Sequence, residues 1–327
     1  FITRMKHTLP VLRFLLLLGS SAFLTSHTTF DLSNKSMIEK TVAELKKGDK
    51  AENLSIYPYL LDLYKETDYR LIWKGELLQE AQRYILDSRI DGLNPRDYRH
   101  DELEQRINKD LSRVKTTPEY KVETDVLMSY AMLLYSKHMI EGKTNPSKFY
   151  DTWNYQRRSF NTVVISDLLD KLSSDNLKSY IETLPPKTAY YQTLTSWMRN
   201  FYDGNFNHNR ELDFTNLPLK KGQQNKDVIE LKYRLSQYDS YDSDDPTEKF
   251  DSQLENAVKN FQKIMGLEQD GIVGGETLKA LNMTVEQKKD IIRVNLERAR
   301  WLLHNLPEKF LLVNIAGYEL YIFEQLK

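Results

Sequence analysis

The side chains best suited to hold a metal or move a proton are six histidines, His7, His27, His100, His138, His208 and His304. A helix seats a metal between two imidazoles when they stand three or four residues apart, and no pair does. His138 falls on an apolar helical face, where a hydrogen-bonded core histidine is the simpler reading. The run Asp239, Asp242, Asp244 and Asp245 offers carboxylates to calcium but lacks the glycine and terminal glutamate of a calcium loop, so it reads as a solvated loop. Cysteine is absent, which excludes a disulfide, a zinc-thiolate site and a thiol nucleophile within these residues. No metal and no other cofactor is expected. Among 20 tyrosines and four tryptophans, Tyr57, Tyr59 and Trp153 are candidates to stack on sugar rings, although core packing explains most such residues equally well. A net charge of −1, with no basic stripe interleaved with aromatics, argues against a nucleic-acid partner.

The elements that position these groups are mostly helical, and 327 residues leave room for about two or three domains. The clearest signal runs from Phe250 to Asn282. Leu254, Ala257, Val258, Phe261, Ile264 and Met265 recur at three- and four-residue steps and predict one buried helical face. Asp251 stands where an N-cap belongs and Gly266 where a left-handed stop is needed. Asp270-Gly271 then makes a tight turn, and Gly274-Gly275 opens a second short helix whose buried side is Leu278 and Leu281. Upstream, Val228, Leu231 and Leu235 repeat the spacing of Val258, Phe261 and Met265.

Ala257-Val258, Phe261-Gln262, Gly266-Leu267, Asp270-Gly271, Val273-Gly274, Thr277-Leu278 and Ala280-Leu281 resemble the repeat of the small peptidoglycan-binding domains of bacterial cell-wall enzymes. The resemblance implies a three-helix domain over residues 215–283 with peptidoglycan, both glycan strands and stem peptides, as its partner. By their position in that module, Gln262, Asp270, Gly271 and Gly274 are the expected substrate-binding residues.

Before the module, Leu77, Leu78, Ala81, Tyr84, Ile85 and Ser88 predict one amphipathic helix, closed by Asp91-Gly92 with Pro95 beyond. Leu127, Tyr130, Ala131, Leu134 and His138 predict another, closed by Gly142 and Pro146. Tyr64 with Leu71-Ile72-Trp73, Asp91-Gly92-Leu93-Asn94-Pro95 with Asp97-Tyr98, Leu133-Leu134-Tyr135, Gly142-Lys143 with Asn145-Pro146, and Pro185-Pro186 with Tyr190-Tyr191 and Leu194 resemble the helical scaffold domain of large murein L,D-transpeptidases. That domain is expected over residues 31–214. After the module, Thr284 to Gln287 fits a capping box. Ile292, Leu296, Ala299 and Leu303 share a face behind it. Asn295-Leu296-Glu297-Arg298 with Arg300-Trp301-Leu302 is similar to that family's linker helix, expected over 284–306. Leu311 to Ile315 reads as a buried strand and Glu319 to Phe323 as its partner, turned at Ala316-Gly317. They resemble the opening hairpin of a YkuD-type catalytic domain, expected over 307–327.

The expected fold class is therefore mainly α, a helical scaffold domain and a small peptidoglycan-binding domain ending in the first hairpin of an incomplete β-rich domain. A lone hairpin exposes edges and an apolar face, so the chain is expected to be cut short by record rather than natively short. The first residue, Phe1, points the same way, with Met5 as the expected start. Lys6 and Arg13 followed by the apolar run Phe14 to Leu18 read as an exported leader over 1–30, and the membrane is expected as a partner only if that leader stays uncleaved. The cell envelope, at the periplasmic side, is the expected location.

The family resemblance implies acyl transfer on stem peptides: a histidine-activated cysteine thiolate attacks the carbonyl of the third stem residue, expels the terminal D-alanine and passes the acyl group to a neighbouring amine. The family's Ser-His-Gly-Cys-type motif has no counterpart in these residues, so no catalytic residue is assigned and these residues are expected to bind wall without cross-linking it. Two alternatives remain open: a non-catalytic wall-anchoring protein, and the binding part of a cell-wall hydrolase such as a zinc amidase.

Overall fold

The computed structural model describes residues 21–112, 115–174, 176–204, 211–214, 216–238, 241, 247–304, 306, 309–314 and 319–324. Most of the expected leader, Asp239, Asp242, Asp244 and Asp245 of the acidic run, and the hairpin turn at 316–317 lie outside the described residues. So do His7 and His208.

The first unit is helical: α1 (Ser21–Lys47), α2 (Tyr57–Glu66), α3 (Gly75–Asp87), α4 (His100–Leu111), α5 (Pro118–Glu141), α6 (Thr162–Ser173), α7 (Leu177–Thr183) and α8 (Ala189–Tyr202). Helix α1 crosses the expected boundary at 30/31 unbroken. At the centre stands α5. Thr117 caps its first turn by accepting a hydrogen bond from the Tyr120 N–H, Pro118 fills the first helical position, and Gly142 ends it at φ +81°. The sequence predicts one buried stripe on α5, but Met128, Met132, Leu133 and Ser136 are buried along with Leu127, Ala131 and Leu134. A helix surrounded on all sides must be apolar all round.

The second unit holds α9 (Asp227–Ser236), α10 (Ser252–Ile264) and α11 (Gly275–Leu281), tied by short antiparallel bridges between Leu219 and Val273 and between Gln224 and Lys249. Its own core is built from Val228, Leu231, Leu235, Phe250, Leu254, Val258, Phe261 and Leu281. Asp251 accepts a hydrogen bond from the Leu254 N–H at 2.8 Å, as an N-cap should. Gly266 takes φ +68° while Leu267 N–H bonds to Gln262 C=O at 2.8 Å and Gly266 N–H to Lys263 C=O at 3.2 Å, which closes α10 in a Schellman motif. Two expectations change. Ile264 is 53% exposed, because it lies in the last turn beyond the reach of the core, and Leu278 is only half-buried while Thr277 and Ala280 carry more of the α11 contact.

Helix α12 (Val285–Leu302) opens with the complete capping box, Thr284 and Gln287 each bonding the other's backbone N–H. It does not bridge open space. Leu296 and Ala299 sit in the core of the first unit, packed beside α5 and α8. Beyond it β1 (Lys309–Asn314) and β2 (Glu319–Glu324) pair antiparallel, Lys309 opposite Glu324 and Asn314 opposite Glu319. The strand read as buried is not covered on one face: Leu311, Val313, Leu320 and Ile322 are all exposed. These four sit at alternate positions and in cross-strand register, so they form one continuous apolar patch. The fold is mainly α with this terminal hairpin.

Candidate functional site

The corner after α10 is held by one amide. Gln262 is 2% exposed; its Nε2 donates to Asp270 Oδ1 at 2.7 Å, Ile272 O at 3.0 Å and Thr277 Oγ1 at 3.2 Å, and its Oε1 accepts from Gly271 N–H at 2.9 Å. Asp270 Oδ1 also accepts from Ile272 N–H at 2.8 Å, and that bond, with the Gln262 amide, holds its carboxyl below the usual range. Gly271 stands at φ +75°, and a Cβ there would come within 2.8 Å of both Glu255 Cγ and Lys259 Cε. Three of the four residues expected to bind substrate are thus brought together, with Gly274 a short step away as the N-cap of α11. Gln262 and Gly271 face inward and are spent on the turn. Asp270 is exposed and Gly274 half-exposed.

Beside the corner, Ile264, Met265, Leu267 and Leu278 line a groove of about 760 Å³ whose far wall is the first turns of α12, at Gln287 and Ile291. Lys279 and Glu276 stand on its edge, both exposed. An aliphatic floor rimmed by charges of both signs suits a peptide that mixes methyl groups with ionised ends.

A second constellation lies where α12 meets the first unit. Arg300 is 1% exposed; its Nη1 donates to Asp91 O at 2.7 Å and Tyr191 Oη at 3.1 Å, and its Nη2 to Glu297 Oε2 at 2.6 Å. Glu297 Oε1 accepts from Thr144 N–H at 2.7 Å and from Trp301 Nε1 at 3.1 Å. Burial alone would lower the Arg300 pKa, but Tyr191, Glu297 and Asp91 outweigh it and the guanidinium stays charged. Burial raises the Asp91 carboxyl despite Arg300, whose bond goes to the Asp91 carbonyl, while Tyr191 and Tyr135 donate to the carboxylate at 3.0 and 3.1 Å. Trp301 lies so near the chain that a Cβ at Gly142 would meet its ring at 2.5 Å. The sequence words at Asp91-Gly92, Tyr135, Gly142, Tyr191 and Arg300-Trp301 therefore meet in one joint. Each is distinctive in the sequence but their contact is not, because a buried arginine leaves no periodic signal.

The remaining candidates resolve structurally. His138 Nδ1 lies 2.9 Å from Tyr98 Oη, and burial pushes its pKa down to about 3, so it is a neutral core histidine. His304 Nε2–H donates to Met139 O at 2.8 Å, and burial takes its pKa to about 4. Tyr57 is buried and donates to Asp49, so it offers no free ring face, and half-buried Tyr59 packs edge-on against Phe160. Trp153 is half-exposed in a surface groove. Among the described residues no group of three or more His, Asp and Glu side chains is placed to hold a metal. No helix among them is long and apolar enough to cross a membrane.

Residues 58–198 match the family described as "Scaffold domain", and residues 224–281 match the one described as "Putative peptidoglycan binding domain". The chain carries a scaffold domain followed by a peptidoglycan-binding domain. No curated protein matches it. The scaffold domain's match ends inside α8, whereas its core also takes in α12, about 90 residues further along. The match to the peptidoglycan-binding domain contains α9, α10 and α11 and the whole Gln262 corner. That domain makes peptidoglycan this chain's partner and ties it to the cell wall.

Proposed function

We propose that these residues are the amino-terminal region of an exported murein L,D-transpeptidase, which docks on peptidoglycan through α9–α11 and presents it to an acyl-transfer domain reached through α12. The observation that carries this reading is the order of parts: scaffold domain, peptidoglycan-binding domain, then a helix clamped back on the scaffold and leading directly to a hairpin with an open apolar face. In the whole protein a cysteine thiolate would form the acyl-enzyme with the stem peptide, and an amine of a second stem would resolve it. The residues here bind and hold. Gln262 and Gly271 contribute by fixing the corner, and exposed Asp270 with the chain edge at Gly274 remains to meet murein.

Incubation of the protein with purified sacculi tests the binding role. It is expected to sediment with them, and a protein that stays in the supernatant refutes the reading. The transpeptidase assignment is tested separately by the coding frame beyond Lys327, which is expected to encode a histidine and a Ser-His-Gly-Cys-type motif; zinc-ligand spacing there would replace it with a hydrolase.

A further inference from the structure

A surface groove of about 420 Å³ opens at the C-terminal end of α12, walled by Tyr150, Trp153 and Tyr155 on one side and by Arg298, Trp301 and Leu302 on the other. Its rings are fixed in place. Trp153 packs edge-on against Trp301 at 5.8 Å between centroids and against Tyr155 at 6.4 Å, its Nε1–H donates to Tyr155 O at 2.8 Å, and Tyr155 Oη–H donates to Leu302 O at 3.2 Å. Tyr150 nonetheless keeps 43% of its surface exposed and its neighbour Phe149 65%. Rigid aromatic faces set among amide and guanidinium donors are the chemistry that takes a pyranose: the ring's C–H face stacks and its hydroxyls find polar partners.

Gln287 and Ile291 wall the groove of the peptidoglycan-binding domain; Arg298 and Leu302 wall the aromatic one. These pairs are 11 residues apart, which is three helical turns, so both grooves open on the same face of α12, separated by about 16 Å at the rise of an α-helix. Between them on that face stands Val294. Val294 and Ile291 are each 49% exposed, so an uncovered apolar track joins one groove to the other.

We propose that this face of α12 is a continuous peptidoglycan track, with the aromatic groove at Tyr150, Trp153 and Tyr155 as a second saccharide site that takes the glycan strand. The inference rests on peptidoglycan being the partner of the module and adds where, outside the module, the polymer is gripped. A ligand reaching both grooves binds the second intramolecularly, so affinity grows with strand length rather than with the strength of either site alone.

The test uses the full chain and glycan strands of graded length that keep their stem peptides. Wild-type protein is expected to bind long strands more tightly than short ones, and Tyr150→Ala to lose roughly fivefold to tenfold of affinity for long strands, the worth of one stacked ring. Tyr150→Phe keeps the ring and is expected to bind as wild type, and Val294→Asp, on the open track, to remove the length dependence while near-ultraviolet circular dichroism stays unchanged. Equal binding of long strands by wild type and Tyr150→Ala overturns the proposal, as does a Tyr150→Ala defect seen only with free stem peptides. Loss of sedimentation with intact sacculi by wild-type protein instead sinks the peptidoglycan reading itself, so the two failures are distinguishable.

Discussion

Gln262 uses both ends of its amide on the corner between α10 and α11, so replacing it leaves the Gly271 N–H without its partner in a nearly closed space and takes one donor from the Ile272 carbonyl, which keeps Thr277 Oγ1 and the Gly274 N–H. Gln262→Ala is expected to destabilise the peptidoglycan-binding domain by about 2–3 kcal/mol, several lost hydrogen bonds offset in part by relaxation. Urea unfolding measures it, and unchanged stability would mean the amide is idle in the fold. Asp125 is a different case. It is buried under Tyr64 Oη at 2.6 Å and Trp73 N–H at 2.7 Å, and burial raises its pKa to about 7 in spite of those donors. A carboxyl whose folded pKa exceeds its unfolded one binds its proton more tightly when folded. Its contribution is therefore full below the unfolded value of 3.8 and is lost as pH rises through about 7. Scaffold stability is expected to decline between those limits by up to about 1.4 kcal/mol per pH unit. Asp125→Asn should flatten that slope even though it lowers stability overall, and equal slopes for the two proteins in denaturant titrations at stepped pH would refute the assignment.

Periodicity in the sequence was a good guide to α3, α10 and the start of α12, because each has one wet face, and α10 and α12 also open on side-chain caps that only a few residue types can supply. It was a poorer guide to α5, whose apolar residues occupy every face and leave little period to read. It also could not tell what α12 packs on: Leu296 and Ala299 mark a buried stripe in any environment, while their partners lie about 100 to 240 residues earlier in the chain. Of the nominated site, the turn chemistry at Asp270-Gly271 was legible, but burial of Gln262 was not, since glutamine is equally at home in water. What fixes α12 is Arg300, whose removal leaves Glu297 Oε2 and the Asp91 carbonyl without the donor that pairs them. Arg300→Ala is expected to cost about 3–5 kcal/mol, as when one partner of a buried ion pair is deleted. It should release α12 while α9–α11 stay folded. Amide hydrogen exchange over residues 285–302 reads this directly: rapid exchange throughout that helix is expected in the variant, and wild-type protection would show that the guanidinium does not hold the joint.

Two cores with α12 assigned to the first make a definite statement about cooperativity. The scaffold core is gathered around α5 and the module core around α10, and they meet at Tyr238, where Trp197 of α8 leans on its ring at 6.4 Å between centroids and the Lys288 ammonium of α12 lies 5.1 Å from the ring centre. Each unit buries its own set of large side chains, so each is expected to melt as a unit of its own, with the contacts at Tyr238 linking the two only weakly. Leu133 and Phe261 are fully buried, one in each core. Leu133→Ala is expected to lower the stability of the scaffold transition by about 2–5 kcal/mol and Phe261→Ala that of the module transition by about 3–5 kcal/mol, each leaving the other in place. The decisive element is α12, which follows the module in sequence but shares the scaffold's core. Its amides should lose protection in Leu133→Ala and keep it in Phe261→Ala. If they instead follow Phe261, the helix belongs to the module and the track along it would move with the polymer-binding domain rather than with the scaffold. Should both variants broaden a single transition, the contacts of Trp197 and Lys288 with Tyr238 couple the units far more strongly than one small cluster implies.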